Sequence, residues 1–236
     1  MKTSAIAARG LLFLLGACAT VRPPADPPLG FIEDGFPSSG TCRTEWPAHL
    51  PDVFPRGAFA LTLLPWLEAE FNDAREQEIM RCWCSGMLRA LKEGPLLPLA
   101  PGVEVYRFTW IPSSRESLVI RIENLGPVHS LHVKVSGMEE GTLTVDRRIL
   151  LTPTQWQAVR QHLEAARFWS MDRFFTPRSV AYLDGARWLF EGGREGRYRM
   201  LSIHSPDPEG PARPIHDLGA FLVELSGVTL ASGRLY

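Results

Sequence analysis

The chain has 236 residues, of which 45% are hydrophobic and 22% are charged. Its 25 basic and 26 acidic residues leave a formal net charge of −1 at neutral pH. A chain of this size suits one domain with a substantial core, with or without a tether. The balanced charge excludes the strongly basic class of nucleic-acid-binding domains, so we expect no nucleic-acid partner.

The first residues have the pattern of a secretory signal. Lys2 and Arg9 form a short basic start, residues 10–17 are apolar, and Cys18 follows directly. The apolar run is much shorter than the roughly 20 residues with which a helix spans a bilayer. The sequence LGAC at Leu15–Cys18 resembles the lipobox of bacterial lipoproteins, which ends in the cysteine that is lipidated.

This resemblance implies a lipoprotein signal peptide at residues 1–17 and a lipid anchor on Cys18. Lipoboxes lead to a diacylglycerol group on the thiol and an acyl chain, such as palmitate, on the new N-terminus, and together these chains hold a protein on a membrane. Ala19 stands where an aspartate favours inner-membrane retention in Gram-negative enterics, which favours the outer membrane facing the periplasm. The alternative is ordinary cleavage at Ala17-Cys18-Ala19, which would release a protein starting at Thr20.

A proline-rich segment follows the proposed anchor. Residues 18–57 contain eight prolines, and proline favours extended backbone. The first part is typical of a stiff tether, and the part with Trp46 and Phe54 is apolar enough to lie on the domain as a strap. We expect residues 58–236 to form a single α+β domain.

The cysteines allow one disulfide in an oxidising compartment. Cys82 and Cys84 lie in a helical pattern, where two positions differ by about 200° around the axis, so they should not pair with each other. Cys42 is therefore the expected partner of Cys82 or of Cys84. The position of Cys82 near the polar boundary of the helix favours the Cys42–Cys82 pair and leaves Cys84 buried.

The next part of the chain has one helical pattern followed by four strand patterns. Residues 72–94 predict a helix with an Asn72-Asp73 N-cap and a stop at Gly94-Pro95. Alternating apolar residues then predict an antiparallel meander with one buried face. Its four strand segments are 103–111, 117–123, 131–135 and 142–151.

A second helix, a hairpin and a third helix complete the prediction. Thr152-Pro153 is typical of a helix start, and residues 215–225 predict the last helix. Residues 187–191 and 197–204 predict the hairpin, with a bulge near Met200 where the apolar alternation changes phase. The fold class is α+β, with about six antiparallel strands and about three helices mainly on one face of the sheet.

The catalytic candidates are weak. His204, His216 and Asp207 could be assembled with Ser205 into a hydrolase site, but no G-x-S-x-G motif is present and neighbouring residues rarely aim at one another as a triad requires. Ser-Pro-Asp-Pro is itself a turn sequence. His129 and His132 would lie on opposite faces of a strand, so we expect no metal site, and nothing predicts a cofactor.

A dense aromatic group is the candidate partner surface. Phe168, Trp169, Phe174 and Phe175 follow the second predicted helix closely enough that some rings could stay exposed. An exposed aromatic cluster would mark a surface for a partner or ligand. The competing interpretation is that these rings belong to the core.

The C-terminal half resembles a family of uncharacterised bacterial proteins, many of them lipoproteins. The resemblance rests on residues 151–156 (LTPTQW), 184–192 (DGARWLFEG) and 196–198 (GRY), and on the upstream 120–124 (IRIEN). It implies a shared fold and no known activity. A histidine often follows the tyrosine in that family, and Arg199 stands there instead, which weakens any carry-over of a histidine role.

These observations predict an envelope lipoprotein held on the bilayer by Cys18, with a non-enzymatic binding or interaction domain whose candidate partner is an envelope protein. The alternative is an envelope hydrolase with a site centred on His204 and His216.

Overall fold

Six strands and three helices account for most of the chain that this computed structural model describes. The described residues are 53–55, 58–59, 74–113, 116–137, 139, 141–171, 185–230 and 235. All of them belong to one unit of the chain, Pro37–Tyr236. The predicted signal peptide, Cys18, most of the tether and the Asn72-Asp73 cap lie outside the described residues.

The elements follow the predicted order. The helices are α1 (Ala74–Ala90), α2 (Pro153–Ala165) and α3 (Arg213–Ser226), and the strands are β1 (Glu104–Pro112), β2 (Leu118–Asn124), β3 (His129–Ser136), β4 (Leu143–Leu151), β5 (Ala186–Arg194) and β6 (Arg197–His204). The strands form one antiparallel sheet in the order β4-β3-β2-β1-β5-β6. The α+β class, the six strands and the three helices are therefore confirmed.

Local sequence explains where α2 begins. The Thr152 hydroxyl accepts a hydrogen bond from the Gln155 backbone N–H, and the Gln155 side chain accepts one from the Thr152 backbone N–H. This reciprocal capping box satisfies two backbone donors, and Pro153 begins the helix with a preset φ.

The end of α1 positions a buried glutamate. Lys92 adopts φ 55°, its N–H donates to the Arg89 carbonyl, and the Glu93 N–H donates to the Leu88 carbonyl. These two bonds form a Schellman motif, which ends the helix before the predicted stop at Gly94-Pro95. The turn directs Glu93 toward the sheet, where its side chain is buried.

One face of the sheet, the helix face, carries the main core. Here α2 and α3 cover stacked aromatic side chains of the central strands, among them Phe108 and Phe190, whose ring centroids are 4.6 Å apart. The helices contribute Trp156, Val159, Leu163, Ile215, Leu218 and Leu222 to this core.

The other face, the α1 face, is also covered, so the prediction of one buried face is wrong. Cys84, Leu88 and Leu91 pack there with the segment around Phe54 against apolar sheet residues. Two helices thus lie on one face and one on the other, in agreement with the prediction that the helices lie mainly on one face.

The predicted bulge near Met200 is also wrong. The β5–β6 register runs without interruption from Arg187↔His204 to Arg194↔Arg197. Met200 packs on the α1 face and Leu201 on the helix face. Met200 and Leu201 are both apolar because both faces of β6 are buried. The change in apolar alternation would indicate a bulge only if one face of the strand were exposed to solvent.

Candidate interaction surface

The three catalytic candidates do not form one site. His204 pairs with Arg187 in the strand register, which places it on the α1 face. The His216 ring stacks on Trp188 on the helix face, with centroids 5.6 Å apart. The sheet therefore lies between the two imidazoles.

Asp207 has a structural role in the turn after β6. Its carboxylate accepts a hydrogen bond from the Glu209 N–H, and its carbonyl accepts one from the Gly210 N–H. These bonds are those of the turn that the Ser-Pro-Asp-Pro sequence predicts.

His129 and His132 lie on opposite faces of β3, as their spacing predicts. The His129 ring stacks on Trp156, and His132 Nε2 lies 2.6 Å from an Asp146 carboxylate oxygen. The hydrogen bond from His132 lowers the pKa of Asp146. Among the described residues, no group of three or more His, Cys, Asp or Glu side chains is arranged to hold a metal ion.

The predicted aromatic surface divides into a core residue and a surface residue. Phe168 is buried in the main core and contacts Tyr106 edge to face, so the prediction that it belongs to a partner surface is wrong for this ring. Trp169 is half-buried. Phe174 and Phe175 lie outside the described residues.

Two arginines stack on the Trp169 ring. The Arg194 guanidinium lies 4.8 Å from the ring centroid and that of Arg197 lies 5.2 Å from it. Both distances are typical of cation–π contacts. We call Trp169, Arg194 and Arg197 the Trp169 cluster; the sequence does not reveal it, because its members are distant along the chain and meet at the β5–β6 hairpin.

A chain of hydrogen bonds positions the Trp169 indole. Its Nε1–H donates to the Tyr106 hydroxyl at 3.1 Å, and that hydroxyl donates to Glu104 at 2.5 Å. Burial and the bond to Glu104 raise the pKa of Tyr106, so the hydroxyl stays protonated and keeps the chain of hydrogen bonds intact. Trp169 therefore presents a fixed ring to the arginines.

Each arginine of the cluster forms a long ion pair with one glutamate. Arg194 lies 3.7 Å from Glu104, and Arg197 lies 3.7 Å from Glu195. Both separations exceed hydrogen-bond distance. In the described part of the chain neither guanidinium donates a hydrogen bond, so both retain donors for an acidic ligand.

A second charged cluster is buried under α1 and is closed to ligands. The Glu93 carboxylate lies 2.6 Å from Lys134 Nζ, 2.9 Å from an Arg121 nitrogen and 3.5 Å from an Arg107 nitrogen. The Arg107 guanidinium also donates to the Gly94 carbonyl at 2.6 Å. Sequence analysis missed this cluster; the only signal was the placement of charged residues at alternate positions within otherwise apolar strands.

Glu191 extends the buried cluster on β5. Arg107 Nε donates to its carboxylate at 2.6 Å, and the Tyr198 hydroxyl donates at 2.7 Å. Burial raises the pKa of Glu191, and the Arg107 charge opposes that rise. The two hydrogen bonds indicate a structural role, because both carboxylate oxygens are already engaged.

The cysteines behave differently from one another. Cys84 is a free buried thiol, and burial raises its pKa to about 12, which makes it a poor nucleophile. Cys82 is buried in the described part of α1. Because Cys18 and Cys42 lie outside the described residues, the Cys42–Cys82 pair remains a prediction.

Two cavities between the described residues have volumes of about 30 Å³ and about 10 Å³. Each has room for about one water, whereas small-molecule pockets are usually hundreds of Å³. No helix within the described ranges is both long and apolar enough to cross a membrane.

No family model, curated protein or solved structure matches this chain. The resemblances to lipoproteins and to the family of uncharacterised bacterial proteins therefore remain predictions from the residues that carry them.

Proposed function

We propose that this protein is a lipid-anchored envelope lipoprotein whose α+β domain is a non-enzymatic interaction domain. In this proposal Cys18 holds the chain on the membrane, at the outer membrane facing the periplasm in a Gram-negative host. The domain recognises an anionic group of a neighbouring envelope component through the Trp169 cluster.

The stacking of two guanidinium groups on one half-buried indole is the observation that supports this proposal. A guanidinium that lies over an aromatic face can still donate hydrogen bonds from its N–H groups. Carboxylates and phosphates accept such bonds in parallel pairs, which gives both affinity and orientation. Arg194 and Arg197 can make these bonds because Glu104 and Glu195 stay 3.7 Å from them.

The hydrolase alternative has less support. It needs an acid, a base and a nucleophile within hydrogen-bond reach of one another. The strand register puts His204 on the α1 face, whereas His216 stacks on the helix face. Asp207 is engaged with its own turn.

Crosslinking in cells tests the interaction. We expect a photoreactive residue at position 195, next to Arg197, to capture a discrete envelope component, because Glu195 is the exposed tip of the hairpin beside the cluster. The adduct should disappear when Arg194→Glu is added, since the reversed charge repels an anionic ligand.

A photoreactive residue at position 209 is the control, because Glu209 is also exposed and lies in the turn after β6, at the other end of the strand from the cluster. Adducts of equal yield at both positions, or an adduct at position 195 that survives Arg194→Glu, would contradict the proposal.

A further inference from the structure

The antiparallel register brings several chain segments to one end of the sheet. Glu104 at the start of β1 pairs with Asn124 and with Arg194, and His129 pairs with Leu151. The same end therefore carries the loop before β1, the β2–β3 turn, the end of β4 and the β5–β6 turn. We call it the hairpin end.

Exposed apolar side chains concentrate at the hairpin end. Among the described residues four large hydrophobic side chains are exposed, and three of them lie here: Leu125 and Val128 in the β2–β3 turn, both 47% exposed, and Leu150 near the end of β4, 72% exposed. The fourth, Trp83, is on α1. Single exposed hydrophobic residues are ordinary, but here Leu125 and Val128 share one turn and Leu150 lies near the end of β4, so three are exposed at the same end of the sheet.

The loop that leads into β1 adds an uncharged segment to the same end. Residues 94–102 read GPLLPLAPG, with no charged residue, and most of them are exposed or half-buried. Leu99 packs against Gly193, where an added Cβ would come within 2.6 Å of its side chain. The loop therefore lies beside the end of β5, on the α1 face of the sheet, whereas Arg194 of the Trp169 cluster lies on the helix face.

The opposite end of the sheet has a different character. Its connections expose Glu116, Glu139, Asp207 and Glu209. Arg213 is also exposed there and is paired with Asp217. The hairpin end has acidic groups as well, but Glu104 and Glu195 each face an arginine. Apolar tips, a tryptophan and two stacked arginines thus occur together only at the hairpin end of the described sheet.

We propose that the hairpin end is a peripheral membrane-docking surface that binds anionic phospholipid. Leu125, Val128 and Leu150 enter the headgroup region, and the Trp169 cluster binds lipid phosphate. This inference rests on the proposed function and deepens it, because it identifies the anionic envelope component as the bilayer itself.

The chemistry of the surface favours a bilayer over an acidic peptide. Tryptophan rings are enriched at the level of lipid headgroups, and apolar side chains beside basic ones are typical of proteins that lie on membranes. Each arginine near an anionic surface increases partition by about fivefold. The exposed apolar side chains are few and lie at the tips of the sheet, and the proposed Cys18 anchor would keep the domain near lipid.

Vesicle co-sedimentation tests this inference without the anchor. The chain from residue 18 onward, carrying Cys18→Ser, is mixed with vesicles of phosphatidylglycerol and phosphatidylethanolamine, or of phosphatidylcholine alone. We expect binding to the anionic vesicles at least tenfold tighter, and weaker in high salt because screening reduces the arginine contribution. Free glycerol phosphate at millimolar concentration should not displace the protein, which separates a lipid surface from a soluble phosphate ligand.

Two variants of this chain locate the contact. Arg194→Glu with Arg197→Glu, and Leu125→Ser with Val128→Ser, should each reduce binding to the anionic vesicles at least tenfold. Trp83→Ser, an exposed apolar residue on α1, should leave it unchanged. Circular dichroism and the thermal midpoint verify that each variant is folded.

Absence of vesicle binding by the parent chain, or unchanged binding in both double variants, would overturn the inference. Capture of an acidic protein at position 195 together with no vesicle binding would also overturn it, while the proposed function would stand. A crosslink at position 195 that survives Arg194→Glu, with vesicle binding intact in the parent chain, would contradict the proposed function instead.

Discussion

Glu93 is the residue on which the α1 face depends. It reaches the sheet from the turn after α1 and lies near three cationic side chains, one on each of β1, β2 and β3. Burial of these charges is costly, so the cluster is tolerated because each charge has a close opposite partner. Removing Glu93 takes the paired carboxylate from the buried Lys134, while Arg107 keeps Glu191 and Arg121 keeps Glu123. A buried charge that loses its partner costs far more than the loss of an exposed ion pair.

We predict that Glu93→Gln lowers the free energy of unfolding by about 3–5 kcal/mol, the range for breaking a buried ion pair. Glutamine keeps the volume but removes the charge that Lys134, Arg121 and Arg107 face. Urea denaturation measures the change. Glu116→Gln is the control, because Glu116 is exposed and its loss should change stability by less than about 0.5 kcal/mol. Equal effects of the two substitutions would contradict this role for Glu93.

At the scale of elements, α3 approaches the sheet closely at one glycine. A Cβ on Gly219 would lie 2.3 Å and 3.0 Å from two carbons of the Trp188 ring. At Gly219 the backbone of α3 therefore lies directly against the indole ring, in space that a side chain would occupy at another residue. Trp188 is fully buried and contacts Phe108 and the His216 ring as well, so the ring has little freedom to move.

We predict that Gly219→Ala destabilises the protein by about 1–3 kcal/mol through overpacking against Trp188. The sign of the change in stability is informative, because Gly→Ala in an unobstructed helix interior stabilises a protein by about 1 kcal/mol. Thermal and urea unfolding measure it. Gly94→Ala is the matched control, since nothing lies within 4 Å of an added Cβ there and its effect should be small. A stabilised Gly219→Ala variant would show that the helix can move away from the sheet.

The second element-scale result is the burial of β6 on both faces. Tyr198 and Met200 face α1, and Leu201 and Ile203 face the other two helices. A strand between two covered faces has no polar side, so its sequence loses the alternation from which a single buried face is inferred.

At the scale of the whole molecule, the sheet separates two differently composed layers. The helix face holds an aromatic core, and the α1 face holds a smaller apolar core beside the buried charges. Along the strand direction, the hairpin end exposes apolar side chains and the opposite end exposes carboxylates. This difference between the two ends suits a domain that is held against a membrane, as the proposed Cys18 anchor would hold it.

We predict that Cys18→Ser abolishes incorporation of radioactive palmitate and releases the protein from washed membranes, because the thiol is the proposed attachment point. Cys84→Ala is the control for losing a cysteine: Cys84 is a free buried thiol, so this variant should keep its palmitate label. Membrane fractionation with metabolic labelling measures both. Persistent labelling of the Cys18→Ser protein would refute lipidation at Cys18.

Much of the fold could be predicted, because local sequence patterns specify each element. Thr152-Pro153 placed the start of α2, and alternating apolar residues placed β1 to β4. The candidate site was harder to predict from the sequence. Trp169 was among the predicted surface residues, but its arginines come from a hairpin some 25 residues later and become neighbours only through packing.

The sequence by itself determined the fold class and the strands and helices of the described residues, because periodicity and capping residues are local properties; the lipobox at Cys18 remains a prediction from a short motif. Only the tertiary structure decided that both sheet faces are covered, that Glu93 meets three cations, that His204 and His216 are apart, and that Arg194 and Arg197 stack on Trp169. These outcomes depend on contacts between residues far apart in the chain, and such contacts follow from how the elements pack rather than from any neighbouring residue.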